Sequence, residues 1–326
     1  MKVLFVDTVH PYLWNALVDS GFDCREGYEL TRAELIREIA SCEGIVIRSR
    51  IILDKELLDA GNKLKFIARA GAGMENIDVA CANEKNILCL NSPEGNRDAV
   101  GEHAIGMLLA LFNNLVKADR EVRDGIWIRE GNRGLELGGK TVGIIGYGNM
   151  GRTFALKLSG FGCTVIAYDK YKSGFSENGI EEVNMQDLWM QSDIVSLHVP
   201  LTEETAYLVN DDFLSKFAKP VCLINTARGR CVNTSDLVKN LMSGKVSGAC
   251  LDVLEYEDAS FEKFTVRNSD FEKSETWQYL IHSDKVILSP HIGGWTYESN
   301  EKISKVLYDK IMKWKTNHPE GNGRGH

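Results

Sequence analysis

The sequence predicts an α/β protein of two domains, each built as a doubly wound parallel sheet. Three observations carry this. Short apolar runs alternate with helical stretches through the first third of the chain, the rhythm of βαβ units, which sets strands in parallel with helices on the sheet faces. The stretch 141–151, TVGIIGYGNMG, runs a buried strand into Gly146, Gly148 and Gly151. The length of 326 residues suits two domains with sizeable cores.

In chain order, residues 2–6 predict a strand and 11–20 a helix. Residues 31–40 predict a helix with Thr31 as N-cap and Glu34 three positions on, a capping box. Strands at 44–48 and 66–70 flank a helix at 54–60. A long helix is expected over 99–124. Its apolar residues cover more than one face, which predicts burial between domains or subunits. The polar, glycine-bearing stretch 124–140 leads into the strand 142–145, a helix at 152–158 and a second apolar run at 164–168. Further strands are expected at 194–198, 221–225, 247–251 and 286–289, and helices at 236–243 and 297–315. The closing NHPEGNGRGH reads as a disordered tail.

The glycines 146, 148 and 151 form a G-x-G-x-x-G dinucleotide fingerprint. Gly146 permits the tight turn out of the strand, Gly148 lets a pyrophosphate approach the backbone, and Gly151 lets the helix pack close to the sheet. Asn149 and Met150 open that helix, whose N–H groups and positive dipole end face the phosphates. Asp169 ends the second apolar run, placed to accept from the adenosine ribose hydroxyls and to repel a 2′-phosphate. This favours NAD over NADP, while Lys170 and Lys172 act the other way. The expectation is a Rossmann-type NAD site.

Composition narrows the classes. A net charge of −8 makes neither nucleic acid nor an anionic membrane an obvious partner, so an anionic substrate must be drawn by local basic residues. Eight cysteines without C-x-x-C spacing, mostly inside apolar runs, read as free buried thiols of a reducing cytosol rather than as a disulfide framework or a metal site. MKVLFVDTV is too short and too charged for a signal peptide. A cytoplasmic protein is expected.

Three polar residues each follow a strand, where doubly wound sheets bind ligands: Arg228 after CLINTA, Glu257 after ACLDVLEY and His291 after VILSP. Singly, each also reads as an ordinary loop charge. Together they suit oxidation of a hydroxy acid. A guanidinium holds a carboxylate, an imidazole moves the hydroxyl proton, and a carboxylate orients the imidazole.

With these motifs in place the chain resembles the D-isomer-specific 2-hydroxyacid dehydrogenases. The resemblance rests on GIIGYGNMG with Asp169, SLHVPLTEET (196–205), INTARGR (224–230), LDVLEYE (251–257) and SPHIGG (289–294). It implies that Arg228 binds the substrate carboxylate, Glu257 orients, and His291 is the general acid/base. Asp252 would contact the nicotinamide amide. His198, Pro200, Thr226, Ala227 and Gly293 would line the cofactor. It also implies a split topology, with a substrate domain of residues 1–98 plus 290–326, an NAD domain of 99–289, and an active-site cleft between domains that closes by a hinge.

Within the family the chain is most similar to short-form D-3-phosphoglycerate dehydrogenase. VIRSR (46–50) implies Arg48 as a substrate ligand. ARAGAGMENID (68–78) and NSPEGN (91–96) also match, and Ala72 and Gly73 would offer backbone N–H groups to an anion, if the segment is not a plain glycine turn. GIWIREG (125–131) implies Arg129 as a phosphate contact toward a neighbouring subunit, within a homodimer. The segment between Glu257 and His291 is longer than the family's, Gly294 and Trp295 replace small residues, and regulation through a C-terminal domain is not expected. Three alternatives stand beside this reading: a glyoxylate or hydroxypyruvate reductase, a D-lactate dehydrogenase, and, from another class, an NAD-sensing corepressor-like binding protein. A formate dehydrogenase fits less well, because that family's Gln is replaced by Glu257.

Overall fold

A computed structural model describes residues 1–257 and 270–318. The expected tail beyond 318, and the part of the long Glu257–His291 segment at 258–269, lie outside the described residues. The chain divides into two compact units, one of Met1–Asn96 with the chain from Trp295 onward, the other Arg97–Gly294. Within the second unit, Asp252 takes the N–H groups of Ile292 and Gly293 on its carboxylate and that of His291 on its carbonyl.

The first unit holds β1 (Lys2–Phe5), α1 (Pro11–Asp19), β2 (Asp23–Glu26), α2 (Arg32–Ile39), β3 (Gly44–Ile47), α3 (Lys55–Ala60), β4 (Phe66–Arg69), α4 (Val79–Glu84) and β5 (Leu88–Leu90). Its five strands are parallel, in the order β2-β1-β3-β4-β5. The period-2 alternation of a strand splits each central strand between two cores. Leu4, Ile45 and Ile67 face Leu35, Ile39 and Leu57 of α2 and α3, whereas Val3, Phe5, Phe66 and Ala68 face Leu13 and Leu17 of α1. The second core is completed by α12 (Tyr297–Asn317) through Ile303, Leu307 and Ile311. The Thr31–Glu34 capping box is present as expected. The strands the sequence did not reveal, β2 and β5, are short edge strands. DCRE in β2 is largely exposed and carries no apolar run.

The second unit holds α6 (Leu115–Arg123), β6 (Thr141–Ile145), α7 (Asn149–Lys157), β7 (Thr164–Tyr168), β8 (Ile180–Glu182), α8 (Met185–Gln191), β9 (Ile194–Leu197), α9 (Asp211–Ser215), β10 (Val221–Asn225), α10 (Thr234–Ser243), β11 (Val246–Leu251), α11 (Glu275–His282) and β12 (Val286–Leu288). The seven parallel strands run β12-β11-β10-β9-β6-β7-β8. The chain winds outward in both directions from β6, so the topological switch point, where such sheets bind ligands, lies at the carboxyl end of the fingerprint strand.

The single helix expected over 99–124 is two. α5 (Pro93–Phe112) starts earlier, and it meets α6 at a bend of 59°. Asn114 between them takes the left-handed conformation (φ 52°, ψ 30°), which asparagine tolerates better than most side chains. The returning chain accounts for the break: Leu135 donates its N–H to the Phe112 carbonyl (2.8 Å), and Asn114 Nδ2 donates to the Arg133 carbonyl (3.3 Å). α5 is polar in its first half and apolar from Ala104 onward, where it buries Ala104, Met107 and Leu108. α6 buries no side chain and leaves Leu115, Val116 and Val122 exposed. Among the described residues no single helix is long and apolar enough to cross a membrane.

Candidate active site

The fingerprint glycines are each explained by a close approach. Gly146 has φ 94°, and a Cβ there would sit 2.5 Å from the His198 carbonyl oxygen. A Cβ on Gly151 would lie 2.0 Å from the Gly146 carbonyl oxygen, which presses α7 onto the end of β6. A Cβ on Gly148 would meet open space, so the backbone there is approachable. No side chain caps α7, which leaves the amides around Asn149 and Met150 for a ligand oxygen.

Asp169 sits at the tip of β7, with one carboxylate oxygen accepting from the Tyr147 N–H (2.7 Å) and the other from Tyr171 (2.9 Å) and Lys172 (3.1 Å). It is thereby locked beside the glycine turn. Of the two lysines, Lys170 pairs with Glu204, while Lys172 Nζ stays at the glycine turn and donates to the Tyr147 carbonyl (3.0 Å). Across the switch point the Thr226 hydroxyl is buried without a hydrogen-bond partner, as a group awaiting a ligand atom would be. Pro200 is exposed and Ala227 buried in the same loops. The open Gly148 backbone, the uncapped helix, Asp169 and the Thr226 hydroxyl together fit a dinucleotide.

His198 follows β9 directly. Its ring hydrogen-bonds the buried Ser196 hydroxyl (2.9 Å) and packs on Phe154 (5.2 Å between centroids), and burial pushes its pKa down to about 3. Its backbone carbonyl, not its imidazole, faces the glycine turn.

The ends of β10, β11 and β12 carry Arg228, Glu257 and His291. His291 Nδ1 donates to Glu257 Oε2 at 2.6 Å, and the other Glu257 oxygen accepts from the Leu254 N–H. The carboxylate thus fixes the proton on Nδ1. His291 is itself left-handed (φ 56°), an uncommon backbone state for a non-glycine residue. The β10 and β11 loops are pressed together, since a Cβ on Gly229 would overlap the Leu254 carbonyl at 1.9 Å. Arg228 stands beside that contact, half-buried, its Nη1 donating to the Ala227 carbonyl (2.6 Å) and its own carbonyl accepting from Asn225 Nδ2 (2.9 Å).

Asp252 is 2% exposed. Its carboxylate accepts from the Ser289 hydroxyl (2.6 Å), the Ile292 N–H (2.9 Å) and the Gly293 N–H (2.8 Å), and it lies 3.2 Å from His103 Nε2. Burial pushes its pKa up, and the hydrogen bonds from His103, Ser289, Ile292 and Gly293 outweigh that and hold it down at about 2. A group expected to meet the nicotinamide amide is thus engaged with internal donors. His103 and Ser289 were not singled out from the sequence. The available signal was a histidine embedded in the apolar run of α5.

In the first unit, Arg48 follows β3. Its N–H donates to Asp7 Oδ2 (2.5 Å), its carbonyl accepts from the buried Asn76 Nδ2 (2.9 Å), and its guanidinium lies over the Trp295 ring at 4.2 Å from the centroid. Gly71 (φ 152°) spends its N–H on the Arg69 carbonyl (2.9 Å) and the Ser92 hydroxyl (3.1 Å). The Ala72 carbonyl accepts from Asn91 Nδ2 (2.6 Å), which orders the turn that carries Gly73. Arg129 is exposed in the second unit.

Residues 105–293 match the family model of the D-isomer specific 2-hydroxyacid dehydrogenase NAD binding domain. A hydroxypyruvate reductase of Thermotoga maritima is 37% identical over 87% of this chain and 88% of its own length. Human D-3-phosphoglycerate dehydrogenase is 33% identical over 94% of this chain, which spans 55% of that protein's length. Among solved structures, the D-lactate dehydrogenase of Aquifex aeolicus complexed with NAD and lactic acid superposes with a TM-score of 0.82 at 28% identity, covering 97% of this chain and 96% of that one. The chain belongs to the D-isomer specific 2-hydroxyacid dehydrogenases, with its NAD-binding domain at residues 105–293.

Proposed function

We propose that this protein is an NAD-dependent D-2-hydroxyacid dehydrogenase whose preferred pair is 3-phosphoglycerate and 3-phosphohydroxypyruvate, a step that would serve serine biosynthesis. The 2.6 Å His291–Glu257 hydrogen bond at the carboxyl edge of a dinucleotide-binding sheet carries the catalytic part of this reading. Arg228 holds the substrate carboxylate and draws electron density from the neighbouring C2–O bond. In the oxidative direction His291 Nε2 takes the hydroxyl proton while the C2 hydride leaves with its electron pair, and C2–O becomes a carbonyl. Glu257 stabilises the imidazolium so formed. NAD, when bound, supplies the hydride acceptor. Gly146, Gly148, Gly151, Asn149 and Met150 would hold its pyrophosphate, Asp169 its ribose, and Thr226 a further polar atom. The pairing of Lys170 with Glu204 and the Asp169 carboxylate beside the glycine turn support NAD over NADP.

The substrate assignment rests on Arg48. Its backbone clamp and its stacking on Trp295 hold a guanidinium suited to a second anionic group, with Ala72, Gly73 and Arg129 as further contacts. A second reading, hydroxypyruvate or glyoxylate reduction, is favoured by the 37% identity and nearly equal length of the Thermotoga relative. The exposed Leu115, Val116, Val122, Ile126, Trp127 and Ile128 support a homodimer formed through α6 and the loop after it. A cytoplasmic setting suits the free cysteines and the cofactor.

One panel tests the reading. Purified protein with NADH is assayed against 3-phosphohydroxypyruvate, hydroxypyruvate, glyoxylate and pyruvate. The highest kcat/KM should fall to the phosphorylated acid. Higher efficiency with hydroxypyruvate or glyoxylate replaces the phosphoglycerate assignment with the second reading.

A further inference from the structure

α5 presents His103, next to its apolar run, to the end of β12. There the His103 Nε2–H is shared between the Ser289 hydroxyl oxygen (2.9 Å) and Asp252 Oδ1 (3.2 Å), and the Ser289 hydroxyl donates to the same carboxylate oxygen (2.6 Å). Oδ1 also takes the Ile292 N–H and Oδ2 takes the Gly293 N–H, and the Asp252 carbonyl takes the His291 N–H (2.7 Å). Three consecutive amides of the catalytic segment therefore end on one residue. Gly293 is pressed onto the cluster: a Cβ there would lie 2.8 Å from Asp252 Oδ2 and 3.3 Å from His103 Cδ2.

We propose that His103 and Ser289 are positioning residues for the acid/base histidine, acting through Asp252 to hold segment 291–293 in the turn that aims the His291 imidazole. The proposal rests on the reading of His291 as the proton-transfer group. The reasoning is electrostatic and conformational. A carboxylate that is 2% exposed must be matched by donors or it will reorient or bind a proton. Its pKa of about 2 reflects those donors outweighing burial. Removing the His103 and Ser289 donors leaves Oδ1 with the Ile292 N–H, and the carboxylate then turns or protonates at the expense of its amide contacts. The left-handed backbone of His291 persists where surrounding contacts over-determine it, and these amides are such contacts. His291 then swings from its line with Glu257, and proton transfer slows while the dinucleotide cradle at β6 is unaffected.

The test uses the full chain with His103→Leu, His103→Gln, Ser289→Ala and the double variant His103→Leu/Ser289→Ala, with His291→Ala as control. Hydrogen exchange is followed by mass spectrometry without substrate. Peptides over 286–296 should exchange about tenfold faster in His103→Leu, with peptides over 141–158 unchanged. In turnover of the best keto acid of the panel, His103→Leu should lose about tenfold in kcat, with KM and the NADH dissociation constant within about twofold. His103→Gln, which keeps an N–H donor, should recover at least half of the loss. The double variant should lose little more than the worse single one, because both act through one carboxylate. Unchanged exchange over 286–296 overturns the proposal. So does a Gln variant as impaired as the Leu variant together with a lowered melting temperature, which marks a packing role. Weakened NADH binding with kcat retained would place Asp252's work on the cofactor instead. If His291→Ala keeps its turnover, the acid/base reading falls by itself, and the exchange result still decides whether the clamp exists.

Discussion

Replacing Glu257 by Gln separates charge from shape at the centre of the proposed chemistry. Both oxygens of the carboxylate are occupied, one by His291 Nδ1–H at 2.6 Å and the other by the Leu254 N–H. Glutamine has one acceptor oxygen and must serve one donor. If it serves His291, a charge-assisted bond becomes a neutral one, a loss of about 1 kcal/mol, and the Leu254 N–H faces an amide NH2, which costs about 1–3 kcal/mol more. If it serves Leu254, the NH2 group meets Nδ1 and drives the proton to Nε2, the wrong tautomer for accepting a substrate proton. The His291 and Glu257 side chains are 24% and 15% exposed, so solvent relieves part of either penalty. The expected result is a fall in kcat of roughly tenfold to a hundredfold, where 1.36 kcal/mol is one decade. His291→Ala should lose roughly 10²–10⁴-fold, the usual contribution of a placed acid/base. The assay is steady-state turnover of the best keto acid, with NADH affinity measured separately by fluorescence. Wild-type kcat in Glu257→Gln, or a matching loss of NADH affinity, would refute the assigned role.

Acid should destabilise the fold in two windows. His198 has a folded pKa near 3 against an ordinary 6.5, so its contribution is fully present above pH 6.5 and is lost as pH falls toward 3; Asp252, near 2 against 3.8, contributes fully above pH 3.8 and is lost toward 2. Each amounts to a few kcal/mol at most, and urea melts between pH 8 and 4 should show the decline begin below 6.5, with a flat profile counting against it. NAD should be preferred strongly over NADP and Asp169→Ala should narrow the gap; equal turnover of both by the wild type would remove Asp169 from that role. Arg48→Ala and Trp295→Ala should raise KM for 3-phosphohydroxypyruvate about tenfold or more and leave glyoxylate nearly unchanged, whereas equal losses on both acids would deny the stacked pair a part in specificity. Trp127, 79% exposed, should anchor the dimer, so Trp127→Asp should give a monomer by light scattering; a wild type that is already monomeric and fully active at micromolar concentration would dispose of the interface.

Much of this molecule is written in local pattern. The apolar runs of β3, β6, β9 and β10 announce themselves because strands buried on both faces need no polar alternation. The Thr31–Glu34 capping box is readable because both partners lie within four residues, and the glycine fingerprint because one turn contains all its constraints. Arg228, Glu257 and His291 were legible as a set since each follows its own strand, and the sheet brings strand ends together. The tertiary structure decided what depends on residues distant in sequence. The break at Asn114 is fastened by the returning segment at 133–135, which hydrogen-bonds Phe112 and Asn114. The inward turn of the His198 ring depends on Phe154, 44 positions away. The Arg48–Trp295 stack, and His103 with its partners Ser289 and Asp252, join chain segments more than 140 residues apart. Sequence alone determined which donors, acceptors and turns are available, because residue type and local spacing set them. Packing determined how they are aimed, because a hydrogen bond is made or lost over less than an ångström, and such distances are set where distant segments meet.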